Sequence, residues 1–303
     1  MADANPYPTP GGVEAAIKDA AKKASAADPS LTTGERIRMA HFDRFLSRVF
    51  SEGDQSEWLL KGGTGMLARV PSTRATGDID LYRNGFTLDQ AVADLRRLAS
   101  IDLGDHFTFV YVGAKTITAV DSQPYTEGYH VSFDVQIGLK RMGTLGIDLV
   151  VGPGVTSEVT TIEPANQLSL PRLISNPYRL FPIADQIADK VCATMTTFGS
   201  RASTREKDLV DLVVFAVTQD VDGTALSHAI TTEARRRKMQ PISHFTVPST
   251  WGATYAKLAK PIPYCADFPT VALAAELVAR FIDPALEGTA NGRAWSHQHL
   301  AWS

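Results

Sequence analysis

Lys61-Gly62-Gly63-Thr64-Gly65-Met66-Leu67, then Arg74, then Asp78-Ile79-Asp80-Leu81-Tyr82 is the stretch on which the reading of this chain turns. Trp58-Leu59-Leu60 is a short apolar run that stops at the glycines, a small helix is expected over 66–70, and 71–77 is a loop rich in Ser, Thr, Arg and Gly. The run 78–82 reads as a strand. Side chains alternate faces along a strand, so Asp78 and Asp80 project to one side while Ile79 and Leu81 turn to the core. Two carboxylates this close repel each other. A hard divalent cation between them removes that penalty, and Mg²⁺ prefers carboxylate together with phosphate oxygens. Gly62 and Gly63 ahead of a helix offer unhindered backbone N–H groups, a site for anionic phosphate. Thr64 adds a hydroxyl beside them, and Arg74 reaches the same charge. Either half alone is weak, since an Asp-x-Asp is often a solvated strand edge. Together, on successive elements, they point to a metal-assisted phosphate site.

Outward from this stretch, residues 1–12 read as a flexible lead. Helices are expected over 12–27 and 33–52, with Thr32 or Thr33 as N-cap of the second and Glu35 in its first turn. Ile37, Met39, Ala40, Phe42, Phe45, Leu46 and Val49 give that helix an apolar stripe. A helix over 87–99, with Leu88, Ala91, Val92, Leu95 and Leu98 on one side, precedes strands over 107–112, 116–120, 129–137 and 145–151. Lys140-Arg141-Met142-Gly143 is the expected hairpin between the last two. Pro164, Pro171, Asn176, Pro177 and Pro182 mark a connecting segment. The rest reads as helices over 183–198, 206–219, 223–239, 249–259 and 269–287. A loose polar tail follows Gly288, in which Trp295 and Trp302 can dock. The expected fold class is α/β (α+β), a mixed-sheet half and then a mainly helical one. The expected divisions are 1–30 as an extension, 31–165 as the site-bearing core and 166–303 as a helical domain.

Gly-Gly-Thr, a following Arg and Asp-Ile-Asp-Leu resemble the signature of the DNA polymerase β-like nucleotidyltransferase superfamily. Within it the chain is similar to the AbiEii/AbiGii toxin family, including its mycobacterial MenT members. Two downstream matches carry the narrower resemblance: Lys190 in the helical run 183–193, and Arg201 and Arg205 ahead of Lys207-Asp208-Leu209-Val210-Asp211-Leu212. The four elements span 58–215. The resemblance implies a polymerase β-like core whose cleft is closed by the helical domain, with an NTP as substrate. It implies Mg²⁺ or Mn²⁺ on Asp78 and Asp80, phosphates on Gly62, Gly63, Thr64 and Arg74, and Lys190, Asp208 and Asp211 at the nucleotide. It further implies transfer of a nucleoside monophosphate to the 3′ end of a tRNA, which blocks aminoacylation and translation, and a cognate antitoxin as partner.

The residues read by themselves leave several roles open. Lys190 lies among Ile187, Val191 and Met195, so its ammonium must turn toward a cleft or a carboxylate. Asp208 and Asp211, three apart, share a helix face. An Asp211–Lys190 pair either sets a cation near the triphosphate or simply ties two helices together. A third carboxylate is common in the superfamily. Asp148, in Gly146-Ile147-Asp148-Leu149-Val150, is preferred as a further metal ligand, and Asp134, in Ser132-Phe133-Asp134-Val135, competes with it. Arg235-Arg236-Arg237-Lys238 either stabilises a helix C-terminus or meets an RNA backbone, and Arg69, Arg74, Lys140, Arg141, Arg201 and Arg205 would extend such a surface. A phosphate on Ser72, Thr73 or Thr76 would repel Asp78 and Asp80, a route to silencing that the resemblance also implies.

Bulk properties narrow the field. A length of 303 residues accommodates one large or two modest domains. The net charge of −3 points to neither nucleic acid nor membrane, so an RNA partner would need a local basic surface. Cys192 and Cys265 are too few for a disulfide framework or a Cys-based zinc site. No apolar stretch approaches the ~18 residues of a membrane span, and the N-terminus lacks the pattern of a signal peptide. A cytoplasmic protein is expected, and the oligomeric state is left open. Two other classes stay in view. A transferase acting on a small-molecule or protein hydroxyl would lack salt-sensitive RNA binding. A non-catalytic nucleotide-binding regulator would tolerate loss of an Asp, and here both are present. A Rossmann dehydrogenase is disfavoured, because Gly-Gly-Thr-Gly lacks the required glycine spacing.

Overall fold

A computed structural model describes residues 6–117, 128–152, 154–197 and 203–303. The chain divides into two compact units, one formed by the chain up to Gly154 together with Thr160–Leu180, the other by Val155–Val159 and Phe181–Ser303. The observed class is the expected one, a mixed sheet with helices followed by a mainly helical part.

The first unit opens with α1 (Pro10–Ala27), where the Thr9 hydroxyl accepts from the Gly12 N–H and Pro10 occupies the first helical position. Val13, Ile17 and Ala21, at i, i+4 and i+8, form its buried stripe. Helix α2 (Thr33–Val49) begins with a reciprocal capping box between Thr32 and Glu35. Then follow β1 (Trp58–Lys61), α3 (Gly62–Arg69), β2 (Ile79–Asn84) and α4 (Leu88–Ala99). Next come β3 (Phe107–Thr116), β4 (Gly128–Ile137), β5 (Lys140–Gly152), β6 (Thr160–Ile162) and β7 (Tyr178–Leu180). Among the described residues these strands make one seven-stranded sheet in the order β3-β4-β5-β2-β1-β7-β6. Strand β2 runs parallel to β5 and antiparallel to β1, which makes the sheet mixed. Along β5, Leu145, Ile147 and Leu149 are buried, and Gly146, Asp148 and Val150 are half-buried on the opposite face. The sheet thus has one apolar face for its helices and one partly open face for chemistry.

Helix α2 is buried almost without interruption from Met39 to Val49. Two arginines lie inside it, and the apolar stripe of the sequence gave no hint of either. Arg48 reaches both oxygens of buried Asp105 at 2.9 and 2.7 Å, and Arg44 bonds Asp43, Ser175 and the Ile174 carbonyl. Asp43 also accepts from the Tyr178 hydroxyl at 2.5 Å. Burial, with Asp43 beside it, pushes that phenol well above its ordinary pKa, so it stays a donor. These charges are tolerated because each is paired and bonded.

Several boundaries differ from expectation. Helix α3 starts at Gly62, not Met66, so Gly63, Thr64 and Gly65 form its first turn. One long strand, β3, replaces the two expected over 107–112 and 116–120, because a bulge between Tyr111 and Gly113 absorbs the irregularity; residues 118–120 lie outside the described residues. The hairpin turn sits at Gly138-Leu139, not at Lys140–Gly143. Gly138 takes φ 58°, which suits the first central position of a two-residue turn. Residues 140–143 join β5, and a second bulge beside Gly143 (φ 131°) takes up the surplus residue.

The second unit holds α5 (Ile183–Met195), α6 (Glu206–Thr218), β8 (Val221–Asp222), α7 (Gly223–Arg236), α8 (Ala253–Ala259) and α9 (Val271–Leu286). Its tail is folded rather than loose. Strands β9 (Ala294–Ser296) and β10 (Ala301–Trp302) pair with each other and β9 pairs with β8, while the buried Trp295 indole donates to the Ala216 carbonyl at 2.7 Å. The segment Val155–Val159 is held to α5, where Asp185 accepts from the Thr156 N–H at 2.9 Å and its hydroxyl at 3.0 Å. Cys192 and Cys265 are free and buried, and burial raises each thiol to about 12, so neither is a reactive thiolate.

Candidate active site

Gly62 enters α3 at φ 60°, a conformation that glycine adopts without strain. A Cβ there would overlap the Asp80 carboxylate, so this glycine lets the carboxylate lie directly against the start of the helix. A Cβ on Gly63 would come within 3.0 Å of the Thr76 hydroxyl and 3.5 Å of the Arg74 guanidinium. The loop carrying Arg74 therefore folds over the same helix start. A Cβ on Gly65 would stand 3.1 Å from the Leu60 carbonyl, which explains why β1 and α3 need a glycine between them. The buried Thr64 hydroxyl donates to the Asp78 carbonyl at 3.0 Å, and the Thr76 hydroxyl donates to the same oxygen at 3.3 Å. Both hydroxyls thus brace the backbone that enters the Asp-Ile-Asp strand.

Asp78 stands just ahead of β2, exposed, and Asp80 is half-buried on it. Register brings the third candidate to them: Asp80 is the Cα partner of Asp148 on parallel β5. Adjacent strands lie about 4.8 Å apart, so the two carboxylates are neighbours on the open face. Asp134 shares this face but lies four residues from His130, the partner of Asp148 on β4, or about 13 Å along the strand. Arg141 and Thr144 bond its carboxylate, and Arg141 holds it below the ordinary carboxylate range. His130 was not singled out in the sequence. Its Nδ1 lies 2.7 Å from Asp148 Oδ1.

Among the described residues no group of three or more His, Cys, Asp or Glu side chains is placed to hold a metal ion. The donor set still suits Mg²⁺, which takes one or two carboxylates and completes its shell with water and phosphate oxygens. Asp78, Asp80 and Asp148 are hard oxygen donors on one face, and the glycine that would otherwise fill the space beside Asp80 is Gly62.

In the second unit, buried Lys190 on α5 donates to Asp211 at 2.5 Å and to Asp208 at 3.2 Å, both on α6. Asp208 also accepts from Arg205. One cation shared by two carboxylates a helical turn apart is fixed in direction. Arg201 lies outside the described residues. The basic run at the end of α7 is not a uniform surface. Arg237 is buried against Asp189 (2.5 Å) and Glu233 (2.7 Å), while Arg235 and Lys238 are exposed.

A family profile described as nucleotidyl transferase AbiEii toxin, type IV TA system, matches residues 44–295. The chain belongs to the AbiEii family. As an AbiEii protein it is a nucleotidyltransferase, the toxin of a type IV toxin–antitoxin system, with an NTP as substrate and a cognate antitoxin as partner. Its fold is similar to that of MenT4, a nucleotidyltransferase toxin from Mycobacterium tuberculosis H37Rv. The two share 15% identity over 91% of this chain and 99% of that one, with a TM-score of 0.51. JHP933 from Helicobacter pylori is similar over 82% of this chain and 91% of that one, at 15% identity and a TM-score of 0.42. No curated protein matches the chain in sequence. Among the described residues of this AbiEii protein, no helix is long and apolar enough to cross a membrane.

Proposed function

We propose that this AbiEii toxin transfers a nucleoside monophosphate from an NTP to the 3′ end of tRNA in the cytoplasm, with Mg²⁺ or Mn²⁺ on Asp78, Asp80 and Asp148. The register that sets Asp80 beside Asp148, on the face next to the Gly62 turn, carries the reading. A divalent metal held by these carboxylates would offset negative charge and lower the pKa of the acceptor hydroxyl. In this reading the backbone of Gly62 and Gly63 and the Arg74 guanidinium orient the triphosphate, and Thr64 keeps Asp78 in place through its carbonyl. Within the second unit, Lys190 held by Asp208 and Asp211 keeps the role that the family resemblance gives it, a cation for the nucleotide. The acceptor hydroxyl gives its proton to solvent as its oxygen bonds the α-phosphorus, the bond from that phosphorus to the α–β bridging oxygen breaks, and pyrophosphate leaves with the electron pair.

The antitoxin is proposed to act at the 72–76 loop. Ser72 holds that loop to Asp28 at 2.8 Å, and the Thr73 hydroxyl is buried with no hydrogen-bond partner among the described residues. Phosphate on either residue would displace the loop beside Asp78.

Purified protein incubated with total tRNA, Mg²⁺ and each α-labelled NTP in turn tests the transfer. One NTP is expected to label tRNA, and Asp80→Ala to lower labelling by about 100-fold or more. Label on no RNA from any NTP would redirect the reading to a small-molecule or protein hydroxyl.

A further inference from the structure

We propose that His130 is a positioning residue that holds the Asp148 carboxylate in its metal-facing orientation, an assignment that rests on the transferase reading above. Three strands carry the argument. Asp80 on β2, Asp148 on β5 and His130 on β4 are successive Cα partners, so their side chains stand in one row across the open face. His130 Nδ1 meets Asp148 Oδ1 at 2.7 Å, and His130 is the one hydrogen-bond partner of that carboxylate among the described residues. An ionised carboxylate only accepts, so Nδ1 carries the proton.

The other side of the ring is placed as well. A Cβ on Gly146 would lie 2.9 Å from His130 Cε1, 3.2 Å from its Nε2 and 2.6 Å from Asp78 Oδ1. The absent side chain at Gly146 is what lets the imidazole and Asp78 share the space above β5. Asp148 is itself 39% exposed, and without a partner its carboxylate would sample several rotamers. Groups that bond a ligating carboxylate from behind fix its direction, and their loss typically costs about 10–100-fold in metal affinity.

The test is equilibrium binding of Mn²⁺ alone, read from the EPR signal of the free ion, on full-length wild type, His130→Ala, His130→Asn and Asp80→Ala. His130→Ala is expected to weaken binding by about 10–100-fold. His130→Asn, which can return an N–H donor to the Nδ1 position, is expected to recover most of that loss. In the labelling assay, raising Mn²⁺ should restore transfer by His130→Ala, a recovery that a general loss of structure would not give. Wild-type affinity in His130→Ala, with affinity lost in Asp80→Ala, would overturn the assignment and leave the transferase reading standing. Equal loss in the Asn and Ala variants would also overturn it, since the ring and not the N–H would then matter. Undiminished Mn²⁺ binding by Asp80→Ala would remove the metal site itself, and the assignment with it.

Discussion

At the scale of single residues, two glycines divide the work that one side chain atom would undo. At Gly62 an alanine meets both a left-handed backbone and the Asp80 carboxylate. Gly62→Ala should therefore lose labelling by about 100-fold and stability by about 1–2 kcal/mol, measured by transfer assay and thermal melt. Gly146→Ala meets only the mobile ends of Asp78 and His130, which can swing aside. Its expected signature is the reverse in proportion: a melting point within about 4 °C of wild type and transfer reduced about tenfold or more. Equal stability loss in both variants would show that this distinction between backbone and side-chain obstruction is mistaken. Strand alternation and the glycines picked out Asp78 and Asp80 as candidates, although Asp78 stands one residue ahead of β2. The bracing role of Thr64 was not legible, because its acceptor, the Asp78 carbonyl, is a backbone atom fourteen positions away that no pattern marks.

At the scale of elements, α2 and the β4–β5 hairpin repay attention for opposite reasons. Apolar periodicity foretold that α2 would be buried, yet periodicity counts side chains by polarity and so missed Arg44 and Arg48 inside it. The Arg48–Asp105 pair makes a sharp prediction. Arg48→Met removes the bidentate partner of buried Asp105, leaving it the Phe107 N–H and the Arg44 guanidinium at 3.8 Å, and should lower stability by about 1.5–3 kcal/mol, while Arg48→Met combined with Asp105→Leu should regain part of it. Urea denaturation of wild type and the two variants measures this, and a single-mutant loss under about 1 kcal/mol would refute the pairing as a structural element. The hairpin shows how a small error in a turn hides a functional neighbour. A turn centred on Lys140–Gly143 would set Asp148 opposite Val135; the actual turn at Gly138-Leu139, with its bulge, sets it opposite His130. The sequence held the answer in Gly138, but two bulges that absorb extra residues are invisible to alternation alone.

At the scale of the whole molecule, pH should register through a histidine that is not among the proposed site residues. Burial of His41 on α2 pushes its imidazole down to about 4, with Glu14 opposing the shift slightly. The folded protein thus favours the neutral ring, and between pH 6.5 and about 4 the unfolded chain binds more protons. Stability from this group is complete above pH 6.5 and falls as pH approaches 4, by on the order of 2 kcal/mol. His41→Gln should flatten the melting temperature over that window; an unchanged slope would refute the attribution. The shift to Pro-rich and then helical sequence led to an expected boundary at 165, but nothing in the sequence marked the interleaving of the chain. After Gly154 the chain gives five residues to the second unit, returns to add β6 and β7 beside β1, and only then leaves for good. Heredity feels this directly. No single cut in the gene separates the units cleanly: a stop after Leu180 keeps the first unit with five residues of the second attached, and a start at Val155 keeps the second with β6 and β7 of the first attached. A message ending before residue 160 leaves β1 as a bare sheet edge, an invitation to aggregation, and a fragment starting at 181 lacks the Thr156 that bonds Asp185. A single break in the gene therefore never yields two clean halves.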